Sequence, residues 1–213
     1  MRISFKEVGT ILAAQFGIEG EHERSAAFRS RLQHLQRAGV PAGVNTGKGK
    51  RASYSWPQLI ELIVVLDLIN IGLSPEAARI AVEDHRDEVL LAAALFGTSN
   101  SEEELVGWVD EKTPPFEQAT ILEFSAATLL EAITGGGSFL LSQTGQEYTA
   151  SLASREPFTP ARCLLVLSDR ILKIIEAIAF NSMPTAGGNA HRDTVASFRT
   201  WALDHHSNTP NCS

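Results

Sequence analysis

The sequence lacks the features that mark secreted, metal-binding and membrane-spanning proteins. Its only cysteines, Cys163 and Cys212, give neither a disulfide framework nor the ligand spacing of a zinc site. The longest apolar run, from Leu59 to Ile71, is interrupted by three polar residues and is too short to cross a bilayer. The first residues contain no apolar core of a signal peptide. These absences predict a cytoplasmic protein with no membrane partner.

Catalytic and cofactor-binding patterns are missing as well. No nucleophile, base and orienting partner can be assembled, so we predict that the protein is not an enzyme, has no catalytic residue and needs no cofactor. His191, His205 and His206 lack the spacing of metal ligands, so no metal site is expected. The glycines at 135–137 lack the lysine and the strand-to-helix context of a phosphate-binding loop, and they predict a plain turn.

Charge is distributed unevenly along the chain. The net charge of −7 argues at first sight against a nucleic-acid partner. However, residues 1–57 contain 9 Lys+Arg and 4 Asp+Glu, whereas the remainder contains 9 Lys+Arg and 21 Asp+Glu. This asymmetry predicts a basic part that faces DNA and an acidic part that stays away from the phosphates.

The basic part opens with two predicted helices. Ser4 and Glu7 fit a capping box, and apolar residues at helical spacing follow as far as Gly17. A loop is expected from Ile18 to Ser25, with Arg24 close to the start of a second helix over Ala26–Ala38. That helix would bury Phe28, Leu32 and Leu35 and end at Gly39. Its other faces carry basic and amide side chains: Arg29, Arg31, Gln33, His34 and Arg37.

A β-hairpin is predicted next. Every second residue is apolar at Val40, Ala42 and Val44, and the same phase returns at Ala52, Tyr54 and Trp56 after a glycine-rich break. The basic tip between them (residues 45–51) carries three cations: Lys48, Lys50 and Arg51. A basic helix followed by a cationic hairpin is typical of a winged helix-turn-helix, in which the helix enters the major groove and the wing contacts phosphates.

These residues resemble a known family. The run LQHLQRAGVP, the predicted hairpin, Tyr54-Ser55, Leu59 and Gly72-Leu73-Ser74 are similar to the DNA-binding domain of the MerR (mercury-resistance regulator) family. The resemblance covers roughly the first 95 residues and implies a winged helix-turn-helix that binds operator DNA. Gln33 stands where the family usually has arginine, and the segment from Gly17 to Ser25 is longer than the family's turn. Neither the family's long dimerisation helix nor its cysteine set follows Gly97, so the resemblance implies no effector.

The rest of the chain predicts a second, smaller unit. Ser55 and Gln58 form a second capping box before an apolar helix that ends near Ile71, and a further helix starting after Ser74 should stop at Gly97. Strands are expected over 119–124, 138–142 and 162–167, with a helix from Ser168 to Phe180. The predicted fold is mainly α: a winged helix-turn-helix over 1–97, a linker over 98–118, a small α+β dimerisation or sensing domain over 119–181, and a largely disordered tail over 182–213. Within that tail, Val195, Phe198, Ala202 and Leu203 predict one short helix.

Together these patterns predict a bacterial, sequence-specific transcription regulator in the cytoplasm, associated with the nucleoid. Its expected partners are double-stranded DNA, a second copy of the chain, and RNA polymerase as a further candidate. The apolar helix Leu59–Ile71 and the strand 162–167 with its following helix are the candidate dimer interface. Ten residues are predicted to contact DNA: Arg24, Arg29, Arg31, Gln33, His34, Arg37, Lys48, Lys50, Arg51 and Tyr54. Two alternatives remain open, an excisionase-like architectural DNA-binding protein and an antitoxin-like protein-interaction module.

Overall fold

The computed structural model describes seven stretches of the chain: residues 2–18, 22–44, 51–111, 114–125, 140–153, 162–182 and 189–208. The side chains of residues 22–25, 125 and 182 lie outside this description. Within the described stretches the protein has nine α-helices and five β-strands. The mainly α fold class with a small α+β part is therefore confirmed.

The α-helices and the β-strands, each numbered in chain order, have the following bounds. The helices are α1 (Phe5–Gln15), α2 (His22–Arg37), α3 (Trp56–Asn70), α4 (Pro75–Asp84), α5 (Arg86–Ser99), α6 (Glu102–Glu111), α7 (Gly145–Leu152), α8 (Leu167–Ser182) and α9 (Ala190–Asn208). The strands are β1 (Ile3–Ser4), β2 (Ser53–Tyr54), β3 (Thr120–Ser125), β4 (Leu140–Thr144) and β5 (Arg162–Val166). β1 pairs with β2, and the other three form an antiparallel sheet in the order β4-β3-β5.

Local capping signals predicted helix starts correctly. The Ser4 hydroxyl accepts from the Glu7 N–H, while the Glu7 carboxylate accepts from the Ser4 N–H at 2.7 Å. Likewise, the Gln58 side chain accepts from the Ser55 N–H at 2.8 Å at the start of α3. These two pairs satisfy N–H groups that have no acceptor within the helix.

The predicted hairpin is wrong in its first strand. Val40 and Val44 are buried, as the alternation indicated, but residues 40–44 form turns and no strand. Proline at 41 has no N–H to donate, and both backbone groups of Ala42 bond to side chains of α3. The backbone groups that a strand at residues 40–44 would need for pairing are therefore unavailable. β2 pairs instead with β1, and Ile3 lies opposite Tyr54.

Three boundaries in the first half also need correction. α2 begins at His22, inside the expected loop. The stripe after Ser74 is split at His85 into α4 and α5, and α5 continues past Gly97 to Ser99. The expected linker over 98–118 contains α6, which buries Leu105, Trp108 and Val109 against the core.

Val195, Phe198, Ala202 and Leu203 predicted one short helix within the tail, and residues 189–208 contain a longer one. They contain α9, in which Val195, Phe198 and Ala202 are fully buried against α5. Gly97 permits this close approach, because a Cβ built there would lie 2.8 Å from both Ala202 Cβ and Phe198 Cε1. The absence of a side chain at Gly97 thus makes room for α9 instead of ending α5.

One continuous buried cluster runs from Ile3 to Phe198 and joins the helical half to the sheet. α3 lies at its centre, and its two carboxylates are buried and paired. Glu61 pairs with Arg86 of α5, and Asp67 pairs with Arg170 of α8 at 2.7 and 2.9 Å. α3 needs no second subunit to cover it, because nearly all of its apolar side chains are buried within the protomer.

Candidate nucleic-acid interface

Apolar contacts on one side fix the orientation of α2. Phe28, Leu32 and Leu35 are at most 6% exposed, and the Phe28 ring lies 6.1 Å from that of Phe16 after α1. Gly39 ends the helix with φ of +86°, a conformation that favours glycine. Since this stripe is buried, the opposite side of α2 must face solvent.

The exposed side of α2 is polar and basic. Successive helical residues are about 100° apart, so Ser30, Gln33, His34 and Arg37 lie opposite the buried stripe. Arg29 and Arg31 are exposed on its two flanks. We call these six residues the α2 face. Gln33, at the centre of the α2 face, and Arg31, on its flank, therefore point in different directions. The centre of the face carries the side chains of Ser30, Gln33, His34 and Arg37.

The cations of this region differ from those elsewhere in their surroundings. Within the described residues, Arg31, Arg37 and Arg51 are exposed and have no ion pair. The described Lys and Arg residues beyond position 57 do have neighbours: six are ion-paired and the seventh donates to a backbone carbonyl. These are Arg79, Arg86, Arg162, Arg170, Lys173 and Arg192, with Arg199 bonded to the Gly97 carbonyl.

The chain leading to the basic tip is held at both ends. Before it, Gln58 Nε2 donates to the Ala42 carbonyl at 3.3 Å, and the Glu61 carboxylate accepts from the Ala42 N–H at 3.3 Å. After it, β2 pairs with β1. Arg51 is exposed, whereas Lys48 and Lys50 lie outside the described residues.

Two other predicted contacts have different outcomes. The Arg24 side chain lies outside the described residues, although its backbone belongs to α2. Tyr54 is 1% exposed, and burial raises the pKa of its phenol to about 12. A phenol enclosed in the core cannot contact DNA, so the prediction for Tyr54 is wrong: the residue fixes β2 beside the basic tip.

Glu61 and Arg86 also belong to this region, although no sequence motif marks them. Arg86 Nε and Nη2 each lie 2.8 Å from Glu61 Oε1, and burial raises the pKa of the Glu61 carboxyl while Arg86 opposes that shift. A carboxylate inside an otherwise apolar helix was the available signal, because such a group is costly to bury without a specific partner. Its partners come from 19 and 25 residues away and could not be read from spacing.

The described residues contain neither a cluster of metal ligands nor a membrane-spanning helix. No cluster of three or more His, Cys, Asp or Glu residues suited to a metal ion occurs among them. Nor does any helix in the described ranges combine the length and apolar character needed to cross a membrane. When the chain is compared with known proteins, neither a family model nor a curated protein sequence matches it.

Proposed function

We propose that the protein is a sequence-specific transcription regulator of the winged helix-turn-helix type, in which the α2 face enters the major groove of operator DNA. The basic tip contacts phosphates beside that groove. The observation that carries this proposal is the contrast between unpaired and paired cations. Exposed guanidinium groups without a carboxylate neighbour are available to phosphates, whereas the ion-paired arginines elsewhere are already neutralised.

The chemistry of the α2 face supports sequence reading. Glutamine pairs with adenine through two hydrogen bonds, and arginine pairs in the same way with guanine. Gln33 and Arg37 are one helical turn apart at the centre of the face, which suits two neighbouring base pairs. Arg31, on one flank, suits the phosphates on one wall of the groove.

The proposed regulator acts as a homodimer, because one helix and one tip provide few contacts, and operators commonly contain two half-sites. Since α3 is covered, the proposed interface is the α8 stripe: Asp169, Lys173, Glu176 and Phe180. Phe180 is 71% exposed beside a groove of about 590 Å³ between α1 and α8. A two-fold axis would bring each Phe180 to the partner's groove, and the pair between Lys173 and Asp169 (2.8 Å) lowers repulsion between copies.

Salt-dependent DNA binding tests the proposal. Genomic fragments are first selected with the full chain, and affinity for a selected and a random duplex is then measured across salt concentrations. Arg31→Gln is expected to lower the slope of log affinity against log salt by about 0.9, the value for one phosphate contact. Arg192→Gln is the matched control, because Arg192 is exposed but pairs with Glu102 at 3.5 Å. It should leave the slope unchanged.

The outcomes separate the function classes. A preferred sequence, together with a salt slope that is lowered by Arg31→Gln and not by Arg192→Gln, supports the regulator. Tight binding without sequence preference, accompanied by DNA bending, would replace it with an architectural role. Absence of DNA binding at low salt would refute both.

A further inference from the structure

Arg170 joins α8 to α3 and to the end of α1. Its guanidinium donates to both carboxylate oxygens of Asp67, at 2.7 and 2.9 Å, and lies 5.6 Å from the centre of the Phe16 ring. Its carbonyl accepts from Gln15 Nε2 at 3.0 Å. Because α1 also packs along α8, this one residue of the acidic half holds the place where α1 ends.

The end of α1 in turn supports α2. The Phe16 ring lies 6.1 Å from the ring of Phe28, which belongs to the buried stripe of α2. Gln33 and Arg37 lie on the opposite side of the same helix. A series of direct contacts therefore runs from Arg170 through Phe16 and Phe28 to the helix that carries the α2 face.

The identity of residue 170 indicates what it contributes. A planar guanidinium can bond both oxygens of a carboxylate and also lie against an aromatic ring, whereas a lysine ammonium is a compact single charge. Burial raises the pKa of the Asp67 carboxyl and Arg170 opposes that shift, so the pair carries a cost of desolvation. Two apolar side chains would avoid this cost and are often as stable. The benefit specific to Arg170 is thus a defined position for Phe16.

We propose that Arg170 is a positioning residue for base reading: it holds Phe16, and through Phe16 and Phe28 it sets the rotation of α2 about its axis. This inference rests on the proposed function, because base reading by the α2 face is proposed there. The side chains of a helix end about 5–6 Å from its axis, so a rotation of about 10° displaces them by about 1 Å.

A displacement of that size affects bases and phosphates differently. Hydrogen bonds to base edges need heavy-atom distances of about 2.7–3.2 Å and a fixed direction, so a shift of about 1 Å breaks a bidentate contact. A long side chain can follow a phosphate over the same distance, since that contact has no sequence-specific geometry. Arg170 is therefore expected to control sequence preference more than overall affinity.

The first test needs no DNA. NMR compares the resonances of the Phe28 ring and of the α2 backbone amides in the wild type, Arg170→Met and Val195→Ala. Val195 is the control for lost stability, because it is fully buried in α9, which packs on α5, α6 and α8. Arg170→Met should shift the Phe28 and α2 resonances, and Val195→Ala should leave them in place. Equal shifts in both variants, or none in Arg170→Met, would overturn the link from Arg170 to α2.

The second test measures the affinity of Arg170→Lys for the selected and the random duplex. This variant keeps the charge of the chain and loses the planar, bidentate group. Its preference for the selected duplex should fall about tenfold, which is roughly the discrimination of one bidentate base contact. Its affinity for the random duplex should change by less than about twofold, because the electrostatic attraction is unchanged. Equal losses on both duplexes, or an unchanged preference, would refute the positioning role.

A double variant separates positioning from stability. Asp67→Leu combined with Arg170→Met removes both charges, so no unpaired carboxylate remains in the core and the chain should fold even if Arg170→Met alone does not. We expect its stability to be close to that of the wild type and its sequence preference to be lost. A double variant with the preference of the wild type would show that the pair is only structural.

Sedimentation completes the comparison, because α8 also carries the proposed dimer interface. If Arg170→Lys changes the oligomeric state of the protein, Arg170 acts through the dimer and its role toward α2 is refuted. A wild type that binds no DNA at low salt would refute the proposed function. In that case the NMR comparison still decides whether Arg170 orients α2.

Discussion

Phe198 provides a direct test of whether the C-terminal helix completes the core. Its side chain is fully buried, with its ring 5.1 Å from that of Trp56 and 5.6 Å from that of Trp201. It also lies directly on the backbone of α5 at Gly97. Phe198→Ala would therefore remove a ring from three packed surfaces at once. Because the helices already approach closely at Gly97, the surrounding atoms have little freedom to move into the cavity that the ring leaves.

The magnitude follows from these contacts. Replacing a buried phenylalanine with alanine costs about 3–5 kcal/mol, and each well-packed aromatic pair adds about 0.5–1.5 kcal/mol beyond burial. With two such pairs, we expect the loss to be in the upper part of that range, at about 4–5 kcal/mol. For a chain of this size that corresponds to a melting temperature about 8–20 °C lower.

Urea denaturation followed by circular dichroism and tryptophan fluorescence measures the effect. Leu203→Ala is the matched control, because Leu203 belongs to the same helix but is 51% exposed. It should change stability by no more than about 0.5 kcal/mol. If Phe198→Ala proves as mild as Leu203→Ala, α9 is not part of the cooperative core, and the sequence-based prediction of a loose tail would be restored.

Three further predictions concern the first half of the chain and the proposed dimer. Burial raises the pKa of Tyr54 to about 12, so its neutral phenol should stabilise the fold at pH values below the unfolded pKa of 10.0. This contribution to stability should be lost as the pH rises from 10.0 to about 12. Absorbance titration would detect the late ionisation of the phenol, and Tyr54→Phe should abolish it. Gln33→Ala should cost about 1–3 kcal/mol on the selected duplex and much less on random DNA; equal losses in a binding titration would contradict base reading. If the protein forms the proposed dimer, Phe180→Ser should convert it to a monomer at micromolar concentration in analytical ultracentrifugation. An unchanged sedimentation coefficient would contradict the proposed α8 interface.

Local rules were sufficient wherever the structure depends on neighbouring residues. The capping boxes at Ser4 and Ser55 depend on partners three residues away, and both helix starts were predicted from them. The apolar run 162–167 was predicted as a strand, and β5 with α8 after it confirms this assignment. The polar flanks of the second helix were also predicted, and Gln33 and Arg37 are exposed. These features need only periodicity and short-range hydrogen bonding.

The features that were missed depend on contacts between distant residues. Alternation at Val40 and Val44 correctly indicated inward side chains, but a turn can bury alternate residues as well as a strand can. What excluded the strand was the bonding of Ala42 to Gln58 and Glu61. In the same way, Gly97 gave a valid stop signal for a helix, and only the presence of α9 against it explains why α5 continues.

The shared core connects the acidic half to α2, the helix that we propose binds DNA. Arg170 of α8 pairs with Asp67 of α3, lies 5.6 Å from the ring centroid of Phe16, and accepts through its carbonyl from Gln15 Nε2 at 3.0 Å. Phe16 in turn contacts Phe28 of α2. One residue of the second half thus holds both α3 and the end of α1, against which α2 packs. Because packed contacts of this kind cannot deform freely, a displacement of α8 must either break the buried pair with Asp67 or move the support of α2.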